Sequence, residues 1–257
     1  MSVAECAALV ERSDPERYLA VMAAPVWARE RLFPLYAFNL EVARAPWVTK
    51  EAMIAEMRLQ WWREVVEAAP AGPDRAHEVA GPLQRLIREA GLPLPVLDRL
   101  IAARRHDAWA EPFVSTAALE EFLEDTGGGL MWLAARALGA PDGAEAAVRG
   151  YGWASGLANY LRAVPELVAR GRAPLPEDGL EAVAALARQG LVRLAAAQAA
   201  RRTLPRGAAP ALLAGWQAGP LLRLAAEDPA AVAEGRLQLS EFARRWGLLR
   251  QAFTGRW

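Results

Sequence analysis

The chain has 257 residues, of which 54% are hydrophobic and 23% are charged. This composition excludes intrinsic disorder, and a chain of this length buries a sizeable core when it folds. Thirty basic residues balance thirty acidic ones, so the net charge of zero does not favour a nucleic-acid partner. A single cysteine excludes an internal disulfide, and two histidines are too few for a zinc cage of His and Cys ligands.

The hydropathy pattern bears on where the protein is found. No run of 18 apolar residues lacks a charge, so the sequence predicts no membrane-spanning helix. The first residues lack the basic-then-apolar pattern of a secretory signal. We therefore expect a cytoplasmic protein, with peripheral contact at the inner face of the membrane left open through exposed apolar helices.

Apolar residues recur at helical rather than alternating spacing along almost the whole chain. The sequence contains no strand-rich block, no linker rich in Ser and Gly, and no repeat. It therefore predicts one all-α domain over residues 1–257. The predicted helices span about 15–23, 25–45, 50–69, 75–90, 94–109, 117–126, 130–138, 144–170 and 179–202, with shorter helices over 208–255.

Several residues predict how these helices begin and where they are interrupted. Four polar side chains stand at predicted starts and are expected to act as N-caps: Asp14, Thr49, Thr116 and Asp178. Two prolines inside long helical patterns are expected to kink or divide their helices: Pro34 and Pro165. The glycines at 127–129 either end a helix or let another backbone approach closely.

No familiar catalytic arrangement is present in the sequence. It contains no nucleophile elbow, no P-loop and no dinucleotide-binding fingerprint. His106 and Asp107 are adjacent, and adjacent helical residues do not face each other, so we interpret them as a surface or helix-end feature. Cys6 lies near a terminus that we expect to be mobile, and we interpret it as an incidental small residue.

Two segments resemble the signature helices of the squalene/phytoene synthase family. They are residues 35–45, LYAFNLEVARA, and residues 156–167, GLANYLRAVPEL. Residues 170–176, RGRAPLP, resemble the arginine-then-LP ending of the second signature, and residues 121–139 resemble the small-residue helix of the family. The likeness covers roughly residues 14–200 in the family order. It implies an all-α isoprenoid-synthase-type bundle around a central cavity.

The chain departs from this family at the positions that bind metal. Active members join two prenyl diphosphates head to head, and carboxylates on two facing helices hold the magnesium ions that bind the diphosphate. The match places these motifs on Ala43, Arg44 and Trp47, and on Ala163, Glu166 and Leu167. Only Glu166 is acidic, so the resemblance implies no metal, no other cofactor and no catalytic residue. The chain thus resembles the catalytically degenerate branch of the family, which includes an assembly factor of respiratory complex I.

The same match supplies candidate ligand-binding residues at pocket positions. They are Tyr36, Phe38, Arg44, Asn159, Arg162, Glu166 and Arg172. We expect Arg44 to reach across the former metal site and pair with Glu166, and the alternative is that Arg44 points into solvent. We also expect the cavity to be narrow and apolar, and to prefer an alkyl chain or an apolar side chain of a partner over a diphosphate.

Three functional interpretations follow. The first is a non-catalytic binding scaffold that holds a protein client during assembly of a membrane respiratory complex, or an isoprenoid-like lipid in its cavity. The second is a head-to-head prenyl-diphosphate synthase with an atypical site that uses Arg162 and Arg172 at basic positions, and Tyr36 and Asn159 at pocket positions. The third is a helical protein that shares only the amphipathic pattern of the family. The ten tryptophans favour core filling over a lipid-contacting surface.

Overall fold

The computed structural model describes residues 2–49 and 51–257, and no strand occurs among them. The structure is 76% helical, which confirms the all-α prediction. A π-helical turn, Glu124–Gly128, joins the helices Thr116–Leu123 and Gly129–Ala137. The helices are α1 Val3–Ser13, α2 Pro15–Ala23, α3 Val26–Arg44, α4 Ala52–Ala68, α5 Ala80–Ala90, α6 Leu94–Trp109, α7 Thr116–Leu123, α8 Gly129–Ala137, α9 Glu145–Ala169, α10 Leu180–Ala199, α11 Ala218–Glu227, α12 Ala230–Ala233 and α13 Glu241–Thr254.

Helices α3 and α9, which carry the two signature-like segments, form the centre of the core. Eleven of the 19 residues of α3 are buried, and α9 buries eleven of its 25. Helix α8 packs against both of them. Because α3 is apolar on nearly every side, it is stable only when other helices surround it. Five of the ten tryptophans are buried in this structure: Trp62, Trp132, Trp153, Trp216 and Trp257.

The glycines at 127–129 continue the helix and bring it close to α9. A Cβ on Gly152 would lie 2.5 Å from the Cβ of Met131 and 2.6 Å from the carbonyl oxygen of Gly127. A Cβ on Gly127 would lie 2.9 Å from the Cα of Gly156. The second of the two alternatives is therefore correct: these glycines allow a close approach of two backbones.

Neither interior proline divides its helix. Pro34 lies within the continuous helix α3, and Pro165 lies within α9. A proline removes one backbone hydrogen bond, but burial of the surrounding helix faces holds these segments helical. Pro220 also lies within a continuous helix, in the first turn of α11.

Two predicted helix starts can be compared with the observed caps. Asp14 caps α2 as predicted, because its Oδ1 accepts a hydrogen bond from the backbone N–H of Arg17 at 3.0 Å. The prediction for Thr116 is wrong by one residue. Ser115 is the N-cap of α7, and its Oγ accepts from the N–H of Ala118 at 3.2 Å.

Two other predicted caps are wrong. Helix α4 begins after Glu51, and the side chain of Thr49 accepts from the N–H of Glu51 at 3.1 Å. Lys50, predicted to open this helix, lies outside the described residues. Helix α10 begins after Gly179, whose φ of 110° is a left-handed value that glycine adopts without strain, so Asp178 does not cap it.

The N-terminal segment forms a helix that the sequence did not predict. Helix α1 packs against α3, and its Cys6 is fully buried in the core. The thiol Sγ lies 3.4 Å from the carbonyl oxygen of Glu78, to which it donates a hydrogen bond. The expectation of a mobile terminus with an incidental cysteine is therefore wrong.

The lengths and compositions of the helices bear on membrane insertion. No helix within residues 2–49 and 51–257 combines the length and the apolar character that crossing a membrane requires.

Candidate functional site

The seven candidate residues do not converge on one site. Tyr36 and Phe38 lie in the packed core, and Arg44 and Glu166 lie on the surface. The other three line two separate cavities: Asn159 and Arg162 in one, and Arg172 in the other.

Tyr36 and Phe38 are structural residues. The hydroxyl of Tyr36 donates to the carbonyl oxygen of Ala211 at 3.5 Å, and the guanidinium carbon of Arg17 lies 5.0 Å from the centre of the Tyr36 ring. Burial raises the pKa of this hydroxyl to about 12, so it stays protonated. The ring of Phe38 meets the ring of Trp62 edge-on at 5.4 Å. Neither side chain is exposed to a ligand.

Asn159 and Arg162 lie in a cleft that we call the Glu16 cleft. It has a volume of about 360 Å³ and lies between α2, α9 and the start of α11. The guanidinium of Arg162 donates two hydrogen bonds to the Glu16 carboxylate, at 2.7 and 3.3 Å. Arg244 of α13 donates a third, at 3.2 Å. Glu16 therefore joins three helices that are distant in the sequence.

The charges within the Glu16 cleft are balanced. Burial raises the pKa of the Glu16 carboxyl, but the bonds from Arg162, Gln217 and Arg244 outweigh it and hold the pKa below its usual value. The charged lining residues are two acids and two arginines: Asp14, Glu16, Arg17 and Arg162. Because Arg162 already binds Glu16, the described lining of the cleft offers no excess positive charge to a diphosphate.

The second cavity is lined by a residue from each of the two segments that the resemblance matches to the metal motifs of the family, and we call it the Trp47 cavity. Trp47 of the first motif and Leu167 of the second both line it, together with Arg172. The guanidinium carbons of Arg170 and Arg172 lie 4.9 and 5.0 Å from the Trp47 ring centre. The remaining volume is about 20 Å³, which accommodates about one water molecule.

The walls of the Trp47 cavity are held by polar and aromatic contacts. Arg172 donates to the carbonyl oxygen of Asp107 at 2.9 Å, and the hydroxyl of Tyr160 donates to that of Pro174 at 2.7 Å. Burial raises the pKa of Tyr160. The ring of His106 stacks on Phe113 with 3.9 Å between centres, and burial lowers the pKa of this imidazole despite the neighbouring carboxylates. His106 is therefore packed against aromatic rings, as a structural group.

The predicted pair of Arg44 and Glu166 does not form. The Arg44 side chain is 54% exposed and its guanidinium lies 3.9 Å from the carboxylate of Glu41. The Glu166 side chain is 68% exposed and accepts a hydrogen bond of 2.5 Å from Arg170. Each charge thus finds a partner within one turn of its own helix, and the alternative of a solvent-facing Arg44 is correct.

The residues at the former metal positions do not fit a magnesium cluster. Magnesium requires several hard oxygen ligands, and of the six matched positions only Glu166 offers a carboxylate, which points into solvent. In the part of the chain that the structure describes, no group of three His, Cys, Asp or Glu side chains is arranged to hold a metal ion.

Sequence reasoning missed the residues that organise the Glu16 cleft. Glu16 and Arg17 follow the predicted start of α2 at Asp14. The capping pattern there predicts the local backbone, but it does not predict which distant residues the two side chains contact. Glu16 and Arg162 are separated by 146 residues, and Glu16 and Arg244 by 228. No spacing rule predicts contacts over such distances in the sequence.

Comparisons with known proteins agree with this architecture. The squalene/phytoene synthase family profile matches residues 10–237. The chain is similar to the bovine (Bos taurus) NADH dehydrogenase (ubiquinone) complex I, assembly factor 6, with 30% identity over 174 residues. That alignment covers 67% of this chain and 52% of the bovine protein. The chain thus spans about half the length of the curated relatives it matches, and the predicted likeness to this branch is confirmed.

Two solved structures share the fold. One is a dehydrosqualene synthase in complex with ligand, with a TM-score of 0.81, 15% identity, and coverage of 98% of this chain and 95% of that chain. The other is a squalene synthase from Alicyclobacillus acidocaldarius, with a TM-score of 0.72, 19% identity, and coverage of 91% and 94%. At these identities the likeness shows the fold alone, which is the predicted isoprenoid-synthase fold. Because the family profile also matches most of its length, the chain belongs to the squalene/phytoene synthase family.

Proposed function

We propose that residues 1–257 form one domain that acts as a non-catalytic binding scaffold in the assembly of a complex I-type respiratory NADH dehydrogenase. The observation that carries this proposal is the Trp47 cavity. The ring of Trp47 contacts the guanidinium groups of Arg170 and Arg172 at the end of the second signature segment, and the resemblance matches Trp47 to an acid of the family. Function resides in the site rather than in the fold, so the shared fold does not imply the shared reaction.

The chemistry of prenyl-diphosphate ionisation supports this interpretation. Breaking the carbon–oxygen bond leaves concentrated negative charge on the leaving diphosphate, and metal ions or unpaired cations must stabilise it. At the matched positions, Arg162 is neutralised by Glu16, and Arg172 is engaged with Trp47 and the backbone of Asp107. Of the two arginines that the alternative interpretation requires, one is therefore already paired with an acid, and the other is engaged by an aromatic ring and a backbone carbonyl.

The Trp47 cavity is too small to hold a lipid inside the bundle, which favours a protein client bound at the surface. Its volume of about 20 Å³ is far below the several hundred cubic ångströms of a typical ligand pocket. The name of the curated relatives supplies the class of client, a subunit of the respiratory NADH dehydrogenase.

An exposed apolar surface beside the Trp47 cavity offers a contact for such a client. It follows Trp47 directly and continues along one face of α4. Its members are 40–66% exposed: Val48, Met53, Ile54 and Met57. Methionine side chains adapt to irregular partner surfaces, so this α4 face is suited to hold a client segment.

The proposal is tested by removing the protein from its host and measuring the membrane-bound NADH:quinone oxidoreductase. We expect loss of assembled complex, restored by the natural chain but not by the double variant Met53→Ser/Met57→Ser. Val192→Ser is the matched control, because Val192 is 69% exposed on a different helix, α10. Normal assembly in the deletion strain would contradict the proposal.

A second experiment addresses catalysis directly. The purified chain is incubated with farnesyl or geranylgeranyl diphosphate and magnesium, and the products are analysed by mass spectrometry. We expect no head-to-head product. Formation of such a product at a useful turnover would favour the atypical synthase over the scaffold.

A further inference from the structure

Helix α13 presents its largest apolar side chains to solvent. Four of them recur at positions i, i+4, i+7 and i+11 and therefore form one stripe along the helix. Their exposed fractions are high: 78% for Phe242, 57% for Trp246, 59% for Leu249 and 90% for Phe253. Along the axis the stripe is about 16 Å long. A stripe of this size on a surface helix indicates an interaction surface.

The orientation of this stripe is fixed by polar contacts on the opposite face of α13. The side-chain amide of Gln251 donates to the carbonyl oxygen of Leu212 at 2.9 Å. The indole N–H of Trp216 donates to the carbonyl oxygen of Arg244 at 3.0 Å, and Arg244 itself bonds to Glu16. Leu249 lies two residues from Gln251, about 200° around the helix. The outward stripe is therefore a consequence of how α13 is anchored.

Charge is distributed unevenly along the chain, and the segment that contains the stripe has a surplus of positive charge. Residues 201–257 contain nine arginines and four acidic residues, a net charge of +5, whereas the whole chain has a net charge of zero. A cleft of about 540 Å³ between α10, α11 and α13 lies beside the stripe. Its described lining contains no Asp or Glu side chain, but it contains four arginines: Arg201, Arg223, Arg250 and Arg256.

The guanidinium groups of this cleft are free of acidic partners among the described residues. None of the four forms an ion pair within residues 2–49 and 51–257, whereas Arg245 on the other flank of the stripe pairs with Glu241 at 2.6 Å. Arg250 lies about 100° around the helix from both Leu249 and Gln251, between the stripe and the anchored face. An apolar stripe with guanidinium groups along one edge is complementary to a surface whose apolar interior is covered by a negatively charged layer.

We propose that α13 docks on the surface of an anionic lipid bilayer, with its stripe inserted among the acyl chains and the arginines of the adjacent cleft contacting lipid phosphates. Tryptophan and phenylalanine are typical of helices that lie in the bilayer interface. Several separate guanidinium groups each gain from the negative surface potential of such a membrane. This inference does not rest on a respiratory client, because it concerns a different face of the molecule.

The test uses the purified full chain and lipid vesicles, without any respiratory complex. We expect binding to vesicles of phosphatidylcholine with phosphatidylglycerol, weak binding to phosphatidylcholine alone, and a decline with added salt. Phe242→Ser/Trp246→Ser/Phe253→Ser is expected to weaken binding about tenfold or more. Arg250→Gln/Arg256→Gln should weaken it and reduce the salt dependence. Met53→Ser/Met57→Ser, on α4, is the matched control.

A fluorescent dye attached to the stripe reports whether the stripe inserts into the bilayer. Cys6 is buried, so a cysteine introduced as Leu249→Cys can be labelled selectively with an environment-sensitive dye. We expect a blue shift on addition of anionic vesicles, and none for the same dye at Met57→Cys. Equal binding of the stripe variant, equal affinity for neutral vesicles, or a lack of binding by the natural chain would each overturn the proposal. So would self-association through the stripe that persists when vesicles are present.

Discussion

Arg162 donates a hydrogen bond of 2.7 Å to Glu16, and this contact joins α9 to α2 across 146 residues of sequence. Arg244 completes the arrangement from α13. One half-buried carboxylate thus holds the N-terminal part, the second signature helix and the C-terminal helix together. In this chain a basic residue of the second signature serves the fold.

Replacement of Glu16 is expected to destabilise the protein. Glu16→Gln removes the charge that compensates Arg162 and Arg244, and hydrogen bonds to charged groups contribute about 1.5–3 kcal/mol each to stability. We expect a loss of about 1–3 kcal/mol in the free energy of unfolding, measured by urea denaturation at neutral pH. Arg245→Gln is the matched control, since Arg245 forms an exposed pair within α13. A Glu16→Gln variant as stable as the natural chain would show that the contact is energetically neutral.

The same carboxylate makes stability depend on pH. Because the pKa of Glu16 is lower in the folded protein than its usual value, its contribution is fully present above the unfolded-state pKa. The contribution is lost as the pH falls through the folded-state pKa. We expect the difference in unfolding free energy between the natural chain and Glu16→Gln to shrink with acidification below about pH 4.5. A difference that stays constant with pH would contradict this assignment.

The close packing of α9 against the π-helical turn predicts a large effect at Gly152. In Gly152→Ala the new methyl group would lie 2.5 Å from the Cβ of Met131 and 2.6 Å from a backbone oxygen, so two helices must separate. We expect a loss of about 1–3 kcal/mol, measured by thermal and urea unfolding. Gly143→Ala is the control, because a methyl group added there would meet no described atom within 4 Å. Similar effects of both substitutions would argue against the close approach.

The helical architecture could be predicted from the sequence because helical periodicity and turn residues depend only on nearby positions in the chain. It predicted that α3 and α9 carry the family signatures, and it showed directly that Glu166 is the one acid among the six matched positions. It failed for Arg44 and Glu166, because a family match gives positions on helices but not the partners available within one turn. It also missed Glu16 and the outward face of α13, which depend on contacts between distant segments.

The surface charges at the former metal positions should contribute little to stability. Arg44→Ala removes a side chain that is 54% exposed, and Glu166→Gln removes a carboxylate that is 68% exposed. Exposed pairs within one helix contribute about 0.3–0.5 kcal/mol. We therefore expect each variant to unfold within about 0.5 kcal/mol of the natural chain in urea. A loss of several times that size for either residue would indicate a structural role across the former metal site.

Trp47 should contribute more to the stability of the fold than the exposed charges of Arg44 and Glu166. Trp47→Ala removes the ring between Arg170 and Arg172 and enlarges the cavity of about 20 Å³. Each cation–π contact contributes about 0.5–1 kcal/mol at an exposed site, and loss of packing adds to this. We expect a total loss of about 1–3 kcal/mol in urea denaturation, with Trp47→Phe retaining part of the stability. An unchanged Trp47→Ala variant would mean that the ring only covers the surface.

The thiol of Cys6 is expected to be unreactive in the folded protein. It is fully buried on the inner face of α1, and burial together with the neighbouring acids Glu5 and Glu78 raises its pKa to about 12. Only the thiolate attacks thiol reagents. In the folded chain at pH 8, the thiol is protonated and the reagent cannot reach the buried sulfur. We expect a chromogenic disulfide reagent to react within minutes in denaturant and far more slowly in its absence. The labelling rate in native buffer should therefore follow the opening of α1. Gly152→Ala lies in α9 and should accelerate the labelling of Cys6 only through global unfolding. Rapid labelling of the natural chain in native buffer would mean that α1 detaches readily from α3.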